Sequence, residues 1–194
     1  MNDFEIIRQQ LSCCLPSLEN LKIEPERVPQ AAVSLILRSQ DERAELLIIQ
    51  RAENPRDRWS GHLALPGGRA DKSDTDLLAT AARETYEEVG IDLLAGGRFV
   101  GRLGTLSPNN PRLPRIEITP LVAFAPPECL LRLSYEVSAA FWVPVGELKR
   151  QGRASVFKLM IEGAEHQWPA YPSERGPIWG ITERILTEFL ALLD

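Results

Sequence analysis

Residues Arg83 to Gly90 read RETYEEVG, which sets Glu84, Glu87 and Glu88 at i, i+3 and i+4. At 3.6 residues per turn these three positions share one narrow helical face. Leu78, Ala82, Thr85 and Val89 fall on a different face, rotated by roughly 120°. A helix patterned this way needs an apolar partner on one side and presents three carboxylates together on the other. Like charges at such spacing destabilise a bare helix, so the fold must bring positive charge to that face. A hard divalent cation takes carboxylate oxygens and shares the rest of its shell with substrate phosphates. Taken alone, Glu-x-x-Glu-Glu is more often a solvated acidic surface, so its surroundings decide between the two readings.

Those surroundings predict a single α/β domain. The helix is expected over 74–89, with Ser73 as N-cap, Asp76 completing a capping box and Gly90 as the stop. Upstream, LALPGG (63–68) reads as a short strand running into a double-glycine turn, where backbone can approach a ligand closely. AAVSLIL (31–37) and LLIIQR (46–51) pattern as a hairpin. Further strands are expected over 98–106, 116–125 and 139–145, and a late hairpin over FKLMIEG and HQWPAY. Two amphipathic helices close the ends, at 2–15 and 178–193. A connecting arm spans 16–30. The result is a mixed β-sheet covered by helices.

Charge and composition narrow the function. A net charge of −5 disfavours a nucleic-acid partner. The N-terminus carries Asp3 and Glu5 where a secretory leader would be basic, and no apolar run approaches a membrane span. Three cysteines, Cys13, Cys14 and Cys129, make neither a disulfide framework nor a metal spacing. These features predict a soluble, cytoplasmic chain with no membrane partner.

Gly68, five residues, Asp74, eight residues, then Arg83-Glu84-Thr85-x-Glu87-Glu88-x-Gly90-Ile91 is similar to the Nudix box. In that box Gly, Glu and Arg-Glu-apolar-x-Glu-Glu-x-Gly-apolar stand in the same order. Asp74 replaces Glu, the spacer to Arg83 is one residue longer, and Thr85 replaces an aliphatic residue. The first two departures also occur in the branch that resembles coenzyme A diphosphatases. The resemblance implies a Nudix-type α/β/α sandwich, with an N-terminal helix and arm over 1–30 and the Nudix hydrolase domain over 31–194. It implies metal-dependent hydrolysis of the diphosphate bond of a nucleoside diphosphate linked to another group. Glu84, Glu87 and Glu88 would hold Mg²⁺ or Mn²⁺, with the carbonyl of Gly67 or Gly68 as a further ligand and Arg83 orienting the carboxylates. Which glutamate acts as general base varies within the family.

LIIQRAENPRDRWSGHLALPGG resembles the coenzyme A-type signature. Arg51-Ala52, Arg56, Gly61 and Pro66-Gly67-Gly68 match in order, while Leu65 stands for Phe. Coenzyme A carries a 3′-phosphate as well as its diphosphate, and arginine forks suit the extra anion. Arg51, Arg56, His62, Gly67 and Gly68 are therefore the expected substrate contacts. His62 could equally be a loop histidine satisfied by backbone, and Trp59 is more simply packing. Pro108, Asn109 and Asn110 sit in a loop long enough to close over substrate. The expected partner is a small nucleotide, with room for a homodimer. Two alternatives stand beside coenzyme A: an ADP-ribose or other dinucleotide diphosphatase, and a binding module that keeps the fold without catalysis. The intact carboxylate trio argues against the second.

Overall fold

The computed structural model describes residues 2–24, 28–55, 59–108, 115–161 and 163–194. Helix α1 (Asp3–Cys14) is capped by Asn2, whose side chain accepts the Glu5 N–H at 2.9 Å. Strands β1 (Gln30–Gln40) and β2 (Arg43–Arg51) follow as a hairpin. It turns at Asp41 and Glu42, both with positive φ, the backbone a tight two-residue hairpin turn requires. Short strands β3 (Leu63–Ala64) and β4 (Gly67–Arg69) precede α2 (Leu77–Val89). Next come β5 (Arg98–Arg102), β6 (Glu117–Phe124), β7 (Val137–Pro144) and α3 (Val145–Gln151). The hairpin β8 (Ser155–Ile161) and β9 (Ala164–Tyr171), then β10 (Ile178–Trp179) and α4 (Gly180–Ala191), complete the chain.

The main sheet runs β3-β2-β1-β6-β5, with β4 on β1 and β7 on β2. It is mixed, because β1 and β6 are parallel while the other pairs are antiparallel. β1 and β2 pair only near their turn, from Leu37/Leu46 to Gln40/Arg43. Beyond it they part, and β3 joins β2 while β4 joins β1. Leu65 and Pro66 cross that split, and the Ser34 N–H donates to the Pro66 carbonyl at 2.7 Å. The split carries the glycines to the foot of α2.

Helices cover both faces. On one, Ile7 and Leu11 of α1, Leu148 of α3 and Leu186 and Phe189 of α4 pack with Leu35, Leu46 and Ile48. On the other, Leu77 and Ala81 of α2 pack with Ala32 and Leu121, and Val89 with Ile36, Leu47 and Ile49. This is the expected sandwich. β8, β9 and β10 form a separate three-stranded sheet at the β3 edge.

Four boundaries differ from the sequence expectation. α2 begins at Leu77 and is capped by Asp76, whose side chain accepts the Ala79 N–H, not by Ser73. The reason lies just upstream: Asp74 is drawn into a turn with Asp71, and its carboxylate holds Arg83 and Thr80. Asp76→Ala is expected to cost about 1 kcal/mol in urea unfolding, and Ser73→Ala to stay within about 0.5 kcal/mol; equal effects would contradict this cap. The double glycine is strand, not turn. The strand from Arg98 ends at Arg102, with a single bridge at Leu106. The last helix starts at Gly180, after Ile178 and Trp179 have paired with β9.

Candidate active site

α2 turns its buried side to the sheet and its acidic side to β4. Thr85 holds the packed side through its hydroxyl, which donates to Ser34 Oγ at 2.8 Å, both residues being fully buried. Ser34 Oγ in turn donates to the Ala81 carbonyl. A hydroxyl is therefore used where an aliphatic residue would only pack. Thr85→Val should lower stability by about 1 kcal/mol, read as a lower urea midpoint; an unchanged midpoint would show the bond to be worth nothing net.

Arg83 is the hub of the acidic side. Its Nε and Nη2 fork onto Asp74 at 2.9 and 3.0 Å. Nη1 reaches Glu84 and Glu87, both at 3.0 Å, and Nη2 also donates to the Arg69 carbonyl. The fork holds the Asp74 carboxyl down at about 2, helped by hydrogen bonds from Asp71 N–H and Thr80, against the opposing effect of burial. One guanidinium thus ties two acidic residues of α2 to the loop before it. This is the local positive charge that three adjacent glutamates require.

Glu88 behaves differently from its neighbours. It is 4% exposed, so it belongs to the packed side as much as to the acidic one. Its Oε2 accepts the Gly67 N–H at 2.9 Å. Burial pushes its carboxyl up to about 7, against that hydrogen bond, with the Glu84 charge adding to the rise and Arg51 opposing it. Glu84 is also raised, by burial first, with Arg83 pulling the other way. Both carboxyls are raised first by burial, although Arg83 and Arg51 pull the other way.

At Gly67 nothing larger fits, and at Gly68 a side chain would displace the Glu84 carboxylate. Gly67 has φ +146°, and a Cβ on it would collide with the Ala32 carbonyl and lie 2.5 Å from Val33 Cα. A Cβ on Gly68 would lie 2.5 Å from the Glu84 carboxyl carbon. Backbone of β4 is therefore pressed directly against the glutamates.

Of the residues singled out from sequence, Arg83, Glu84, Glu87, Glu88, Gly67 and Gly68 come together here. Arg51 lies near enough for its charge to act on Glu88. The His62 carbonyl accepts the Arg51 N–H, and the His62 ring lies against Trp179 and Phe157. Arg56, Asn109 and Asn110 lie outside the described residues. One contributor had no sequence signal: Glu136, just before β7, whose charge raises both Glu84 and Glu88. The β7–β2 pairing brings it alongside, and its carbonyl accepts the Ala52 N–H at 2.8 Å. Among the described residues no three Asp, Glu, His or Cys side chains already close on one point as metal ligands. Glu84 and Glu87 lean instead on Arg83, and Glu88 on Gly67.

Comparison with known proteins places this arrangement. The family model for the NUDIX domain matches residues 28–161. Over 145 residues the chain is 36% identical to the uncharacterized Nudix hydrolase NudL of Salmonella paratyphi B, covering 74% of this chain and 72% of that one. Over 107 residues it is 42% identical to an uncharacterized protein of Schizosaccharomyces pombe, covering 53% of this chain but only 32% of that longer one. Among solved structures, a MutT/nudix family protein from Enterococcus faecalis superposes with a TM-score of 0.60 at 23% identity, over 89% of this chain and 64% of that one. A NUDIX hydrolase from Alicyclobacillus acidocaldarius gives 0.57 at 20% identity, over 88% and 95%. These two share the fold, and the family match covers the glycines, α2 and Glu136 together. The chain belongs to the Nudix hydrolase family.

Proposed function

We propose that the protein hydrolyses the diphosphate bond of a nucleoside diphosphate joined to another group. The preferred substrate is coenzyme A or one of its acyl or oxidised forms, giving 3′,5′-ADP and 4′-phosphopantetheine. The observation that carries the reaction class is the Arg83-tethered carboxylate group pressed against Gly67 and Gly68, with Glu84 and Glu88 both raised. Glu84, Glu87, Glu88 and the Gly68 carbonyl are the groups that would hold Mg²⁺ or Mn²⁺. The donor chemistry fits, because all four offer the hard oxygens that such a cation takes. Such an ion, when bound, polarises a phosphoryl oxygen and eases deprotonation of water.

The chain's own residues prepare the site for this. Arg83 fixes the directions of Glu84 and Glu87, and Asp74 fixes Arg83. The Gly67 N–H fixes Glu88. Arg51, beside Glu88, offers a guanidinium fork to a phosphate oxygen. The coenzyme A assignment rests on the ordered match of Arg51-Ala52, Arg56, Gly61 and Pro66-Gly67-Gly68, and on the need of a 3′-phosphate for added cations.

A hydrolysis panel with Mg²⁺ or Mn²⁺ tests the assignment, setting coenzyme A, acetyl-coenzyme A, ADP-ribose and NADH side by side. The expected outcome is a clear kcat/KM preference for the coenzyme A group. Preference for ADP-ribose or NADH would move the substrate to the dinucleotide class and leave the reaction unchanged. No turnover of any of them would remove the reading.

A further inference from the structure

The second sheet gathers aromatic rings on one face. Phe157 stacks on Trp179, with centroids 3.8 Å apart and planes 8° from parallel. Trp168 lies 5.4 Å from Trp179 and 6.2 Å from Phe157. His62 meets Trp179 edge-on at 5.0 Å and Phe157 at 5.6 Å. Phe157 stands opposite Trp168, and Trp179 opposite Ala170. Strand alternation therefore puts the three large rings on one face. Tyr171 and Ile178 point the other way, into the core under α4. Phe157, Trp168 and Trp179 are half-buried and belong to none of the buried apolar clusters formed by the described residues.

The place of this face relative to the carboxylates matters most. His62 adjoins Arg51 through a 3.0 Å backbone hydrogen bond, and Arg51 acts on Glu88. Gly67 stands five positions after His62 in the chain, a reach of at most about 17 Å. The ring face thus begins beside the cationic edge of the site, at the scale of one nucleotide. Partly exposed rings gathered on one sheet face suit the flat face of a base, which stacks on aromatic side chains whatever its identity.

We propose that Phe157, Trp168 and Trp179 form a stacking wall for the nucleobase of the substrate, so that the diphosphate lies at α2 and the base on the second sheet. This rests on the nucleotide reading above. Calorimetric titration with ADP and with inorganic pyrophosphate tests it apart from turnover. The wild type should bind ADP more tightly than pyrophosphate. Trp168→Ala should weaken ADP on the order of tenfold, with a much smaller change for pyrophosphate, while Trp168→Phe keeps ADP binding. Equal weakening of both ligands, or undiminished ADP binding by Trp168→Ala, would overturn the wall and leave the rings as packing for the hairpin. A second arm needs no large truncation. ADP should quench tryptophan fluorescence in the wild type, and Trp168→Phe should lose a large part of that quench at similar affinity; a quench that persists in full overturns the proposal. Trp168-dependent ADP binding in a protein that turns over no diphosphate would keep the wall and remove the hydrolase reading.

Discussion

Glu88→Gln is expected to cut turnover by more than the roughly 100-fold that losing an outer partner of a metal ligand costs, and in the same protein to raise the stability of the metal-free fold at alkaline pH. The two effects share one cause. Glu88 is buried beside Glu84, and its carboxyl sits at about 7 in place of 4.5. A carboxyl whose pKa is raised by folding stabilises the protein fully below about 4.5, and that contribution is lost as pH rises through about 7. The difference corresponds to about 3 kcal/mol at pH 8. Glutamine keeps an oxygen for the Gly67 N–H and carries no charge to bury. Chemical unfolding in EDTA at pH 5 and pH 8 checks this. Wild-type stability should fall between the two, and the variant's curve should be flatter and higher at pH 8. A variant that is less stable at pH 8 would contradict the burial account, and one that keeps full activity would remove Glu88 from the chemistry.

The second large effect belongs to Arg83→Ala. The substitution strands Asp74, whose side chain is 4% exposed, and leaves Glu84 and Glu87 without their shared cation. Losing a charged fork that is partly open to solvent costs about 2 kcal/mol. Asp74 sits at about 2 in place of 3.8, so its contribution is present above 3.8 and is lost as pH falls through about 2. Wild type and variant should therefore differ most near neutral pH and converge in strong acid. Activity should fall roughly ten- to a hundredfold, as for loss of a group that orients ligands. Arg83→Lys keeps the charge but not the fork, and should land between them. Equal stability of Arg83→Ala and wild type at pH 7 would refute the hub.

How much of this was legible in the sequence follows from what periodicity encodes. The split between the acidic and apolar sides of α2 is an angular property, and the spacing of Glu84, Glu87 and Glu88 states it directly. Depth is not angular. Glu88 is buried because Gly67, carried in through the β1–β2 split, closes over it, and that contact joins residues 21 positions apart. The double glycine looked like a turn because glycine is poor in strands. It forms β4 because, with Arg69, it pairs with Ala31, Ala32 and Val33 of β1, and at Gly67 the Ala32 and Val33 backbone leaves no space for a Cβ. Ser73 and Asp76 are both good caps, and the choice was made by Arg83 drawing Asp74 out of the helix and by Leu21 taking the Leu77 N–H. Glu136 sits in no motif; sheet pairing alone brings it to the site. The late hairpin was readable as two strands, but not the ring face that its register assembles with Trp179.

The central claim is that the carboxylate side of α2, loaded with a divalent cation, cleaves a nucleotide-linked diphosphate. Phosphorus NMR of coenzyme A incubated with the wild type and with Glu88→Gln, each with Mg²⁺ and with EDTA, tests it most directly. The account predicts that the diphosphate signals give way to those of two monophosphate products only for the wild type with Mg²⁺. Conversion that continues in EDTA, or that Glu88→Gln carries out at the wild-type rate, would contradict it.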